Sequence, residues 1–516
     1  MEWTETTGYS FYTTVVGAVL IAIVVRLFLG KFRGRKMNLP PGPKTWPIIG
    51  NLNLIGPLPH QSIHAQSLKY GDIMQLRLGS IPTVVASSPE MAREFLTTND
   101  VNIANRPKIA AGKYTTYNYS DMTWSPYGSY WRQARKIWVM ELFSVKRLNS
   151  YEHIRVEEVQ ALIKNVHATS PNKVNLKNRL MDVSLNVICR MVLGKKYLDG
   201  SEKEIVSPEE FKKMLDELFF LNGVLNIGDL IPWLDSLDVQ GYVKRMKAVS
   251  LKFDNFLEHV LTKHDENRRG VENYVAKDMV DVLLQLSEDP NLEVELKRNG
   301  VKAFTQDLLA GGTESSAVTV EWAMSELLRQ PEIISKAHEE LDRVVGRERW
   351  VEERDIRNLP YIEKIVKETM RLHPVAPMLV PRMSRKDCSI NGYDIPTGTQ
   401  VLVNVWTIGR DPKAWESPLE FRPERFDGKT IEVKGQDFRL LPFGSGRRMC
   451  PGYNLGLKVI ESTLSNLLHG FKWKLPEGMR PEDLSMEEVF GLSTPRKVPL
   501  ETVATPRLPA SLYENF

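Results

Sequence analysis

Cysteine is scarce in this chain: three residues in 516, Cys189, Cys388 and Cys450, lie far apart with no CxxC pair. That excludes a disulfide framework and a thiolate-built structural zinc site, and it places the body in a reducing compartment. No fixed-period repeat or low-complexity stretch occurs, so disorder is not expected beyond the termini. The chain also lacks βαβ alternation and a phosphate-cradling glycine loop, which excludes a built-in dinucleotide site. Excess charge is missing too. The formal net charge is +4, and residues 1–36 account for +3 through Arg26, Lys31, Arg33, Arg35 and Lys36 against Glu2 and Glu5. A near-neutral body offers no electrostatic footprint for nucleic acid.

What is present begins with one long apolar run. Residues 11–25 carry no charge, and 27–29 extend the run past Arg26. As a helix this stretch would span roughly 28 Å, close to the bilayer core. A cleaved signal peptide wants a basic leader and a small-residue cleavage site, but here the leader is acidic and basic residues follow. The run therefore predicts a transmembrane anchor over 1–30. Lys31, Arg33, Arg35 and Lys36 hold that flank, and the body behind it, in the cytosol. Leu39-Pro40-Pro41-Gly42-Pro43 and Trp46-Pro47 cannot continue a helix, and they predict a stiff basic and proline-rich hinge over 31–47. Residues 48–516 exceed the usual single-core limit, although one large fold around a buried cofactor overrides that default.

Alternating runs at 73–78 and 83–86 predict a hairpin, and Ser88-Pro89-Glu90 a helix start. Helical periodicity dominates from about 121 to 372, in segments such as 129–146, 209–222, 243–267 and 302–329. Short strands return at 389–395, at 400–405 and after Pro495. The fold class predicted is mainly α with small β-sheets.

Two segments carry chemistry. Phe443-Gly-Ser-Gly446-Arg-Arg448-Met-Cys450-Pro-Gly452 suits a thiolate ligand to haem iron. Such a thiolate favours O–O cleavage and needs a dry pocket and close backbone approach. Gly446 and Gly452 are expected to let the backbone lie against the macrocycle. Arg448 is placed to fork onto a propionate, and Phe443 to shield the sulfur. Ala310-Gly-Gly-Thr313-Glu314-Ser315-Ser316 lies mid-helix, where a Gly pair costs about 1 kcal/mol per residue and marks a kink. There an acid, Glu314, followed by a hydroxyl, Ser315, suits proton delivery during oxygen reduction.

The first segment resembles the cysteine-loop signature of the cytochromes P-450, and the chain is identified as a member of that family. Glu368-Thr-Met-Arg371 and Pro423-Glu-Arg-Phe426 resemble its structural ion-paired cluster, whereas Glu340–Arg343 is a second Glu-x-x-Arg. Trp131-x-x-x-Arg135 and Arg382 match positions that, with Arg448, hold the propionates. The oxygen-activating pattern is kept except that Ser315 stands where threonine is usual. Ala310–Met324, Val380-Pro-Arg382 and Gly491-Leu-Ser-Thr resemble the plant microsomal A-type clan, with flavonoid 3′-hydroxylase-like members nearest. The resemblance implies a P-450 fold around haem b with Cys450 as the metal ligand. It also implies an endoplasmic reticulum membrane location and electrons from NADPH through a membrane-bound reductase. The expected reaction is hydroxylation of a small lipophilic specialised metabolite, a flavonoid or other phenolic, with a terpenoid, lignan or alkaloid as the alternative. Arg132, Lys136, Arg447 and Lys458 are candidates for the reductase-docking face, and 109–119, 304–315, 375–379 and 490–493 for the pocket walls. A thiolate-haem isomerase or dehydratase, or a haem-bearing carrier, would share Cys450 but would not need the Glu314-Ser315 pair.

Deleting residues 1–30 is expected to release much of the protein from membranes while haem incorporation persists. Protease protection of the body inside sealed microsomes would contradict the cytosolic orientation.

Overall fold

The computed structural model describes residues 37–196 and 205–514. The predicted anchor and the basic part of the hinge lie outside the described residues. No helix among the described residues is long and apolar enough to cross a membrane.

The described part of the hinge is extended and strapped to the body. Gln75 donates its N–H to the Pro41 carbonyl at 2.8 Å. Asn38 bonds Asp394 and the Gly392 carbonyl. A Cβ on Gly42 would lie 2.1 Å from the Gln75 carbonyl oxygen, so only glycine permits this approach.

The expected hairpin forms from Ile73–Leu78 and Ile81–Ala86. Gln400–Val403 adds to it in parallel and Arg382–Met383 closes the four-stranded sheet. Ser88 caps the next helix, accepting from the Met91 N–H. The run at 389–395 is two strands, Cys388–Ile390 and Tyr393–Ile395, because Asn391 and Gly392 both take positive φ in a two-residue turn. Two strands of the second sheet, Lys173–Asn175 and Phe471–Lys474, went unpredicted; they pair through Glu501–Pro506. Both are too short to show periodicity.

Eight helices position the site: α1 (Ser129–Ile137), α2 (Glu152–Thr169), α3 (Leu176–Leu193), α4 (Tyr242–Arg268), α5 (Arg298–Thr313), α6 (Ser315–Arg329), α7 (Pro360–Leu372) and α8 (Tyr453–Gly470). The segment 302–329, expected as one helix, is divided into two by a bend at Glu314, whose own backbone stays in the right-handed helical region. The segment 129–146 also divides, because Ser144 caps a new helix at Val145. In α6 every residue from Ser316 to Leu328 is buried. A helix buried on all sides is a core element, and α6 accordingly packs against α3, α7 and α8.

Behind this core sits the ion-paired cluster. Glu368 is fully buried and receives Arg371 at 2.7 and 2.8 Å, Arg425 at 2.7 Å and the Arg422 N–H at 2.7 Å. The remaining guanidinium donors reach backbone carbonyls: Gly409, Pro418 and Glu420 from Arg371, and Glu416, Ser417 and Glu420 from Arg425. Both guanidinium groups thus share one carboxylate and every remaining donor has a carbonyl partner, so the buried cluster leaves no polar atom of these side chains unsatisfied. The second motif does other work: Glu340 accepts the Tyr361 and Ile362 N–H groups at the start of α7. Glu368→Ala leaves two buried guanidinium groups without a counter-charge and is expected to cost about 3–5 kcal/mol. The thermal unfolding midpoint and the yield of folded haem protein check this.

Candidate active site

The loop carrying Cys450 is closed by its own backbone, with the Cys450 N–H donating to the Phe443 carbonyl at 2.9 Å. Ser445 pins it further by bonding the Gly435 carbonyl at 2.6 Å. Gly446 has φ +68°, and a Cβ there would lie 2.1 Å from the Leu96 carbonyl oxygen. Within the protein, Gly446 is thus constrained by its left-handed backbone and by the Leu96 carbonyl of the helical segment Glu94–Thr98. At Gly452 protein atoms leave ordinary room for a Cβ. The Cys450 thiol is pushed up by burial, against the opposing effects of the Gly452 N–H and the Arg135 cation.

Cys450 and Phe443 line a cavity whose other walls include Phe143, Ile188, Leu308, Gly311, Gly312, Ser315 and Ser316. The fold thereby joins the two sequence segments. Gly312 is required because a Cβ would meet Ile188 of α3 at 2.6 Å, whereas Gly311 faces open space. Ser315 bonds the Gly311 carbonyl at 3.0 Å across the helix break. Glu314 diverges from its expected partner: it is not among the residues lining this cavity, and its carboxylate accepts the Ser493 hydroxyl. Burial raises the Glu314 carboxyl above its ordinary range; Ser493 and then Lys177 oppose that rise, and Asp216 adds to it.

Beside the cavity stands a concentration of buried and half-buried cations. Arg135 donates to the Met449 carbonyl, and Arg382 to Asp100 at 2.9 Å and to the Ser445 carbonyl. Arg448 reaches the Ala104, Met122 and Ser125 carbonyls and lies 4.4 Å from the Trp131 ring centre. Burial depresses the Arg106, Arg382 and Arg448 guanidinium groups; Arg448 and Arg382 depress Arg106 further, and Arg382 does the same to Arg448. Trp131 Nε1 is buried without a hydrogen-bond partner among the described residues. Excess buried positive charge and an orphaned donor beside a thiol suit a flat cofactor bearing two carboxylates, and haem b fits them.

Four participants were not foreseen. Asp100 also accepts from the Arg447 backbone and side chain, and Arg106 bonds the Thr123, Val380 and Pro381 carbonyls. Asp307 accepts the Met122 and Thr123 N–H groups, beside buried Asp121. Asp307 precedes Gly311 and Ser315 at helical spacing, a signal that could have found it; Asp100, Arg106 and Asp121 sit in short elements and loops with no pattern. Of the proposed docking cations, Arg132 and Lys136 are exposed, Arg447 is drawn to Asp100, and Lys458 bonds buried Glu353 at 2.6 Å.

A second cavity is lined by Ile109, Trp124, residues 222–226, 376–381 and 490–492. Three of the four expected pocket segments therefore reach it. The fourth lines the Cys450 cavity through Leu308, Gly311, Gly312 and Ser315, although Phe304 itself is core, packed on Trp138 and Tyr130.

The Cytochrome P450 family profile matches residues 40–500. The chain belongs to the cytochrome P450 family. It is 48% identical to a trimethyltridecatetraene synthase of Zea mays, over 96% of this chain and 94% of that one. It is 43% identical to a flavonoid 3′-monooxygenase of Petunia hybrida, over 97% and 98%. The fold is that of a zebra fish cytochrome P450 solved with abiraterone: the TM-score is 0.73 at 26% identity, covering 87% of this chain and all of that one. Membership makes this P450 an oxygen-incorporating oxidoreductase that uses haem b.

Cys450→Ala is expected to abolish the red-shifted Soret band of the reduced carbonyl complex, read by difference spectroscopy. A second outcome concerns pH. Burial pushes Asp307 from 3.8 up to about 6. A carboxyl raised in the folded state favours folding while it is protonated, and that contribution fades as pH climbs from about 4 to about 6. Asp307→Asn should therefore gain stability relative to the parent across that window, as measured by thermal unfolding at stepped pH.

Proposed function

We propose that this P450 is a monooxygenase of small lipophilic metabolites, anchored in the endoplasmic reticulum membrane and supplied with electrons by an NADPH-dependent flavoprotein reductase. The observation that carries the reading is the single cavity joining Cys450 to Gly311 and Ser315. Haem held by Cys450 supplies oxygen activation, the thiolate favouring O–O cleavage. The chain's own residues do the rest. Trp131, Arg135, Arg382 and Arg448 would hold the propionates, and Phe443 keeps water from the sulfur. Gly311 leaves room in the Cys450 cavity. Ser315 presents a hydroxyl there, able to exchange its bond with the Gly311 carbonyl for one to water. Glu314, half-hidden with a raised proton affinity, is the proton store behind it. An isomerase, a dehydratase or a carrier would have no use for that pairing.

For the substrate, a flavonoid or other phenolic is supported by relatives at 41–43% identity named flavonoid 3′-monooxygenases. A terpenoid-derived chain is the second reading. It is favoured by the two Zea mays relatives at 48% and 47%, whose names denote synthases of branched polyenes, and by the largely apolar wall of the second cavity.

With purified reductase, NADPH and oxygen are expected to be consumed together when a substrate from a flavonoid and terpenoid panel is added, with product read by mass spectrometry. Turnover that needs neither oxygen nor reductase would overturn the proposal. Ser315→Ala should divert electrons to hydrogen peroxide, with the carbonyl spectrum unchanged.

A further inference from the structure

Ser493 belongs to the Gly491-Leu-Ser-Thr motif, which the proposed chemistry leaves without a task. The structure gives it a defined place. Phe490, Gly491 and Leu492 line the second cavity, and a Cβ on Gly223 would lie 2.2 Å from the Leu492 nitrogen, so the motif is wedged against the end of the helix Pro208–Gly223. On its other side Thr494 is pinned: its carbonyl accepts Trp322 Nε1 of α6 at 3.0 Å, and its hydroxyl bonds the Pro374 and Val375 carbonyls at 2.9 Å. Between these two fixed points Ser493, itself buried, aims its hydroxyl at Glu314 Oε2.

From this geometry we infer that Ser493 is the positioning residue of Glu314, holding its carboxyl at the α5–α6 break and setting how readily it gives up a proton. The inference rests on the proposed proton-supply role of Glu314. Other groups bearing on that carboxyl are Lys177 of α3, Asp216 of the helix Pro208–Gly223 and Glu321 of α6. Ser493 stabilises the ionised form, working against burial. Turnover consumes substrate, O₂, two electrons and two protons to give hydroxylated product and water. When the protons are delivered wrongly, the same two electrons and two protons leave with O₂ as hydrogen peroxide.

The test is infrared titration of the haem-loaded, substrate-free protein, with Glu314→Gln identifying the Glu314 acid band. In Ser493→Ala that band should persist to about one pH unit higher than in the parent, since a hydrogen bond to the charged form is lost. Ser493→Thr, which keeps the hydroxyl, should restore the parental titration. An unmoved band in Ser493→Ala, no Glu314 acid band at any pH, or failure of threonine to restore it would overturn the inference. Peroxide released per NADPH, with reductase and naringenin or farnesol as probes, should rise at least about threefold in Ser493→Ala, short of the about 10²-fold loss expected on removing a general acid. Unchanged peroxide in Glu314→Gln would instead refute the proton-supply role, leaving the infrared result to decide the positioning on its own.

Discussion

Positive charge buried beside a cavity is the condition around which this molecule is arranged. Arg106, Arg135, Arg382 and Arg448 converge from four parts of the chain, and within the protein Asp100 provides the close carboxylate partner, to Arg382. Backbone carbonyls absorb most of the guanidinium donors but do not cancel the charge. Three of those carbonyls belong to the loop at 122–125, whose N–H groups in turn face Asp307. The wall of the haem site is thus clamped from both sides, by cations on its carbonyls and a carboxylate on its amides. Haem propionates would complete the balance, so cofactor binding and packing of the wall are one energetic event.

The Glu368 cluster differs in having a carboxylate within reach of both of its guanidinium groups. The donors of Arg371 and Arg425 all find partners within the protein, on Glu368 or on backbone carbonyls, so the cluster can be sealed and back the core of α6, α7 and α8. The contrast is one of pairing: both cations of the Glu368 cluster reach a carboxylate, whereas beside the cavity Asp100 closely pairs with Arg382 and Arg447 but not with Arg106, Arg135 or Arg448.

At the junction of α5 and α6 helical regularity is given up for chemistry. Gly312 admits Ile188, Gly311 leaves the cavity open, and the chain bends at Glu314, with neighbouring side chains serving different spaces. Ser315 looks into the cavity with Cys450 and Glu314 looks toward Ser493. The segment 490–494 ties Glu314 to the wall of the second cavity.

Much of this was legible in the sequence for local reasons. The cysteine loop, the glycine pair followed by acid and hydroxyl, the capping serine at 88 and the long periodic helices depend on residues close together in the chain, so their spacing reveals them. The break at Glu314 showed only as a weak point, because glycine cost marks where a helix can yield but not how. Asp100, Arg106, Asp121 and Asp307 acquired meaning only when folding brought them within hydrogen-bond reach of distant partners. Gly446 shows the boundary well: the sequence by itself determined that no side chain belongs there. Only the tertiary structure decided why, since the atom that forbids one is the Leu96 carbonyl, which approaches from a helix some 350 positions earlier in the chain.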